Sequence, residues 1–121
     1  MSTNTDTVKR YLDGFRKGDH EQILSCLTDD IEWTVFGFFR LNGKAAYDAA
    51  IDGEGFTGPP RLDVVRMVEQ DDVVMAELFG RVRTAEGEVR RLSMAEVFVM
   101  RYGLIAERRA WVIPLTENDH R

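Results

Sequence analysis

The chain is poor in cysteine. It has one, Cys26, so no disulfide can close within it. Cys26 falls on an apolar helical face and reads as a small buried hydrophobe rather than a nucleophile, which makes a reducing, cytoplasmic location the expectation. Histidine is almost as scarce. His20 opens a helix and His120 lies in a polar tail, and neither has a second His or Cys at ligand spacing, so no metal site is expected. No stretch approaches the roughly 18 consecutive apolar residues that a membrane span needs, and the leader MSTNTDTVKR lacks the apolar core of a signal peptide. Positive charge is not in excess either. A formal net charge of -5 and a pI near 5.0 argue against a nucleic-acid partner, which would call for a net basic footprint. Repeats, linkers and low-complexity segments are also missing, and 121 residues suit one domain spanning 1–121.

What the chain does have is a long hairpin. In residues 73–100, VVMAELFGRVRTAEGEVRRLSMAEVFVM, β-branched and apolar residues alternate with others on both sides of a polar break that carries a glycine. A symmetric turn over Ala85, Glu86, Gly87 and Glu88 sets Thr84 against Val89, Arg81 against Leu92, Phe79 against Met94 and Glu77 against Glu96. Two carboxylates then oppose each other on a mostly apolar face. Such a pair costs free energy unless a proton, a cation or a ligand compensates it.

Ahead of the hairpin, Val8, Tyr11, Leu12 and Phe15 recur at i, i+3, i+4 and i+7, one stripe of an amphipathic helix that Gly18 ends. Asp19 caps a second helix whose stripe is Ile23, Leu24 and Leu27, stopped by Asp29 and Asp30. A short strand at 31–36 follows, then exposed phenylalanines at 38 and 39, a third, Ala-rich helix from Asn42 and Gly43, and a loop, GEGFTGPP. From Arg61 the pattern is four antiparallel strands with turns at Asp71, Asp72 and at Tyr102, Gly103, and the tail TENDHR is polar. This is an α+β domain with helices on one face of a sheet.

The pieces VKRYLDGFRKGD, LTDDIEW, GKAAYDAA and AEVFVMRYGLIAERRAW, in this order and over nearly the whole chain, resemble the nuclear transport factor 2-like superfamily, in particular its SnoaL-like and ketosteroid isomerase-like members. The resemblance implies a cone-shaped, cystatin-like α+β barrel: three N-terminal helices packed in a strongly curved, mixed but mainly antiparallel sheet, with a small-molecule pocket inside. It places Tyr11 where the isomerases hold an oxyanion-stabilising tyrosine and Glu96 where they hold a protonated acid. Their proton-shuttling aspartate is replaced, by Thr34 or by Val35. The Arg and two Asp of limonene epoxide hydrolases fall at Glu77, Phe79 and Ala110, and Ala110 also stands where SnoaL-like cyclases commonly carry an acid. Neither chemistry carries over directly.

The candidate catalytic residues are therefore Tyr11, Glu96 and Glu77, with the two glutamates sharing a proton as a coupled acid and base. The alternative for the glutamates is a register one residue off, which turns one of them outward, or a structural ion network with Arg81 or Arg83. Lining the pocket, by alternation and resemblance, are Phe15, Trp33, Val35, Phe79, Arg81, Leu92, Met94, Ala110 and Val112. Phe36, Phe38 and Phe39 form either a lid over the mouth or part of a subunit interface. On the last strand Ile105, Glu107, Arg109, Trp111 and Ile113 share a face, and the resemblance implies a homodimer through the outer sheet face, anchored by Trp111. Two functions stay open: a cofactor-independent isomerase or cyclase moving a proton on an apolar carbonyl compound, and a non-catalytic ligand-binding or dimeric interaction module of the same fold.

Overall fold

The structure is a computed structural model that describes residues 3–52 and 57–115. Helix α1 (Thr3–Lys17) buries Val8, Tyr11, Leu12 and Phe15, the stripe set by their spacing. Helix α2 (His20–Ser25) starts at Asp19, whose side chain accepts a hydrogen bond from the Gln22 N–H at 3.0 Å. Gly14 lets the two helices close on each other, since a β-carbon there would lie 2.9 Å from Ile23 Cγ1. The second helix is shorter than its apolar stripe suggests. Leu27 opens strand β1 (Leu27–Val35) instead, because the chain at this point bonds to the last strand: Ile105 N–H donates to the Cys26 carbonyl at 2.8 Å and Leu27 pairs with Ile105.

Within β1 the period-2 pattern turns Ile31, Trp33 and Val35 to the core. A short strand β2 (Phe39–Asn42) folds back antiparallel to it, where the sequence shows only exposed aromatics. Helix α3 (Lys44–Ala50) follows Gly43 and buries Tyr47. Only α1 and α2 precede the first strand, so the expectation of three N-terminal helices is corrected: the third is set between β2 and the remaining strands.

Strands β3 (Arg61–Gln70), β4 (Val73–Arg83), β5 (Val89–Arg101) and β6 (Leu104–Pro114) complete a curved six-stranded sheet in the order β2-β1-β6-β5-β4-β3. Every pairing is antiparallel except β1 with β6, so the sheet is mixed. Its tight connections use the left-handed backbone region at Asp71, Asp72, Tyr102 and Gly103, as the polar breaks in the sequence predict. The expected loop GEGFTGPP and tail TENDHR fall largely outside the described residues, as does His120.

Two local features decide which side chains face inward. The β4–β5 turn takes up residues 84–88 rather than four residues: Thr84 and Glu88 are tied by a backbone bond of 2.8 Å and by the Glu88 N–H on Thr84 Oγ1 at 3.1 Å, and Gly87 adopts φ 87°. Arg83 therefore pairs with Val89 and the register moves by one residue. A one-residue slip turns the whole strand over. The even residues Val74, Ala76, Leu78, Gly80 and Val82 share the concave face, Ala76 stands opposite Glu96, and Glu77, Phe79 and Arg81 point outward. In β6 a bulge breaks the pairing between Val99 with Glu107 and Met100 with Ile105. Ile105 is consequently buried, contrary to its expected place on the outer face, while Arg108, Ala110 and Val112 keep the inward parity that alternation gives them.

Candidate functional site

The concave face of β5 carries Leu92, Met94, Glu96, Phe98 and Met100, an apolar row interrupted by one carboxylate. Glu96 is 1 % exposed and Arg108, across the ladder on β6, is 6 % exposed. The guanidinium grips the carboxylate with both arms, Nε to Oε1 at 2.8 Å and Nη2 to Oε2 at 2.9 Å. Both carboxylate oxygens are thus occupied by N–H donors. The third nitrogen, Nη1, donates to the Tyr47 hydroxyl at 3.3 Å, and that hydroxyl is in a very short contact with the Tyr11 hydroxyl. Helices α1 and α3 and strands β5 and β6 so contribute one residue each to a single polar chain.

Aromatic rings enclose it. The guanidinium carbon lies 4.4 Å from the Trp33 ring centre, 5.2 Å from Phe15 and 5.4 Å from Tyr11, within cation–π range. Tyr11 meets Phe15 and Phe98 edge to face, and Trp33 stacks on Tyr47 at 4.6 Å. Burial raises the Tyr11 hydroxyl well above the usual phenol range, and it raises Tyr47 too, against the lowering pull of Arg108. Both are neutral donors near neutral pH. For Arg108 burial is the largest single influence and acts the other way, but the charge of Glu96, the two phenols and the hydrogen bond to Glu96 together outweigh it and hold the guanidinium well above its ordinary value. The indole N–H of Trp33 is buried with no hydrogen-bond partner among the described residues.

Two clefts open near this core. One of about 340 Å³ is lined by Phe15, Ile51, Asp52, Pro59, Pro60 and Val82 among others. Another of about 390 Å³ is lined by Val35, Phe39, Leu92, Val112 and Pro114, with Phe38, Val82 and Arg90. Phe15 belongs both to the first cleft and to the cage around Arg108, and Phe39 joins the second cleft to Trp33 at 5.0 Å.

The residues expected from sequence divide into three groups. Tyr11 and Glu96 enter the buried network, with Phe15 and Trp33 packed on it and Met94 and Ala110 buried on the same concave face. Val35, Leu92 and Val112 line the second cleft. Glu77, Phe79 and Arg81 are corrected: they stand on the convex side, where Glu77 is half exposed and ion-paired to Arg66 at 2.8 Å, so no coupled pair of glutamates exists. Of the three phenylalanines, Phe38 and Phe39 line the cleft, and Phe36 stacks on Trp111 at 4.7 Å on the outer side. Sequence reasoning missed Arg108 and Tyr47. Tyr47 had a signal, as the lone aromatic in an alanine-rich helix. Arg108 had one as well, since it shares strand parity with Ala110 and Val112, which alternation turns to the pocket.

No curated protein sequence matches the chain. Among solved structures, an M. tuberculosis LEH-like epoxide hydrolase superposes with a TM-score of 0.82 at 16% identity, over 92% of this chain and 83% of that one. A putative ketosteroid isomerase from Kribbella flavida gives 0.77 at 15% identity, over 98% and 84%. TerC, co-crystallised with polyporic acid, gives 0.79 at 25% identity, over 90% of each chain. These are likenesses of fold. The SnoaL-like domain family matches residues 8–108, the greater part of the sequence and every residue of the buried network, and the chain belongs to that family.

Proposed function

We propose that the chain is a small-molecule binding domain whose ligand is an apolar, carbonyl-bearing compound seated in the mouth of the cone. The observation that carries this reading is the apolar cleft of about 390 Å³ bounded by Val35, Leu92 and Val112, which adjoins a core holding buried phenols and a guanidinium. Binding is favoured over carboxylate chemistry because Glu96 is gripped on both oxygens and walled in by side chains, and Glu77 faces away. The small-molecule complex of TerC supports a ligand in this fold. In the test, the neutral aromatic probe N-phenyl-1-naphthylamine is titrated by fluorescence. Saturable binding that Val112→Trp abolishes by filling the cleft is expected. Absence of binding, or binding indifferent to that substitution, refutes the site.

A second reading keeps a cofactor-independent isomerase or cyclase acting by proton transfer. It is favoured by Phe15, one ring that separates the first cleft from Tyr11 and Arg108. A turn of that ring would let a ligand oxygen accept from the phenols, with Glu96 holding Arg108 in place and water taking the proton. On this reading Tyr11→Phe lowers turnover at least about tenfold while leaving probe binding intact. Equal turnover removes it.

The convex face completes the proposal. Val68, Met75, Trp111 and Ile113 are 59%, 50%, 40% and 60% exposed, and the Arg109 guanidinium lies 5.0 Å from the Phe36 ring stacked on Trp111. A second copy of the chain is the occupant we assign to this face, giving a homodimer. The single, buried Cys26 supports the reading of a protein that works in the reducing cytoplasm.

A further inference from the structure

Beyond the buried network, one charge on the concave face is left over. Arg90 pairs with Val82 across the β4–β5 ladder and lies on the face of Leu92, Met94 and Glu96, at the open end of the row. Its side chain is exposed and, among the described residues, makes no hydrogen bond or ion pair. It is also the only charged one among the described residues lining the apolar cleft of Val35, Phe39, Leu92 and Val112. A neighbouring cleft of about 290 Å³ shares Val82 and adds Arg61, Arg81 and Arg83. Arg61, Arg81 and Arg91 stand directly opposite one another on adjacent strands. Like charges in that arrangement repel. Among the described residues, Asp63 lies 3.7 Å from Arg61, and Glu86 and Glu88 belong to the adjoining turn. A chain of net charge -5 therefore concentrates arginine at one rim, next to an apolar cleft.

We infer that this cleft takes an amphipathic anion: an apolar body against Val35, Leu92 and Val112, with one anionic group held by Arg90. The inference rests on the binding site proposed above and names its ligand class. A planar guanidinium beside an apolar wall suits a carboxylate, enolate or sulfonate, because the fork donates two parallel hydrogen bonds while the wall excludes water from them. The surrounding arginines add a positive field that attracts the ligand to the rim.

The test uses two probes with the same apolar body, 1-anilinonaphthalene-8-sulfonate and the uncharged N-phenyl-1-naphthylamine, titrated against the full chain and its variants. Arg90 is exposed, so its replacement leaves the core intact, which thermal melting checks. Arg90→Gln is expected to weaken the sulfonate about tenfold and the neutral probe less than about twofold, with Arg90→Lys recovering part of the loss. Raising salt from about 50 mM to about 500 mM weakens the sulfonate alone. Equal loss for both probes, or no loss for the sulfonate, overturns the anion inference while the apolar site stands. If Val112→Trp leaves both probes bound as before, the site itself falls and the inference with it.

Discussion

Replacing Arg108 by methionine tests the reading of the core most directly. Methionine keeps much of the volume and removes the charge, leaving the Glu96 carboxylate, 1 % exposed, without either of its guanidinium donors. Its remaining neighbours are rings and apolar chains. Breaking one side of a buried pair costs about 3–5 kcal/mol, because an uncompensated charge is left in low dielectric. Against a total stability of about 5–15 kcal/mol this is a large fraction. At about 3–5 °C per kcal/mol for a chain of this size, the melting temperature should fall by about 10–25 °C. Urea unfolding followed by tryptophan fluorescence, to which Trp33 contributes with its ring centre 4.4 Å from the guanidinium, measures the loss. The double variant Glu96→Leu with Arg108→Met should be more stable than Arg108→Met alone, with a coupling of at least about 2 kcal/mol. A single variant within about 1 kcal/mol of the parent, at unchanged urea slope, would show that water reaches the carboxylate and that the sealed ion pair is a wrong description.

Three further outcomes follow from the same geometry. His20 sits between Asp48 at 2.5 Å and Asp52 at 3.0 Å, and the hydrogen bond to Asp48, then that to Asp52, raises its pKa above the ordinary 6.5. A raised pKa stabilises the fold fully below the free value and loses that contribution as pH climbs through the folded value, so the stability difference between the parent and His20→Gln should shrink from about pH 6 to pH 8; a difference that grows over that range contradicts the clamp. Gly14→Val should destabilise by about 1–3 kcal/mol, since its β-carbon would meet Ile23 Cγ1 at 2.9 Å, and calorimetry showing no loss would mean the helices part freely. On the proposed dimer, Trp111→Glu should shift sedimentation to the monomer while the far-UV spectrum is kept, and an unchanged oligomer would clear this face of the role.

The elements were largely written in local pattern. The helical stripe of Val8, Tyr11, Leu12 and Phe15, the strands after Arg61 and the turns at Asp71 and Tyr102 depend on spacing, which any one segment carries in itself. Glu96 was legible for the same reason, as a carboxylate interrupting an apolar row. What no segment carries is register. One extra residue in the turn after β4 sent Glu77, Phe79 and Arg81 outward, and one bulge in β6 brought Ile105 in. Sequence alone therefore determined that an acid lies on the core face of β5. Only the tertiary structure decided that its partner is an arginine rather than another acid, because parity along a strand is set by hydrogen bonds to a neighbouring strand.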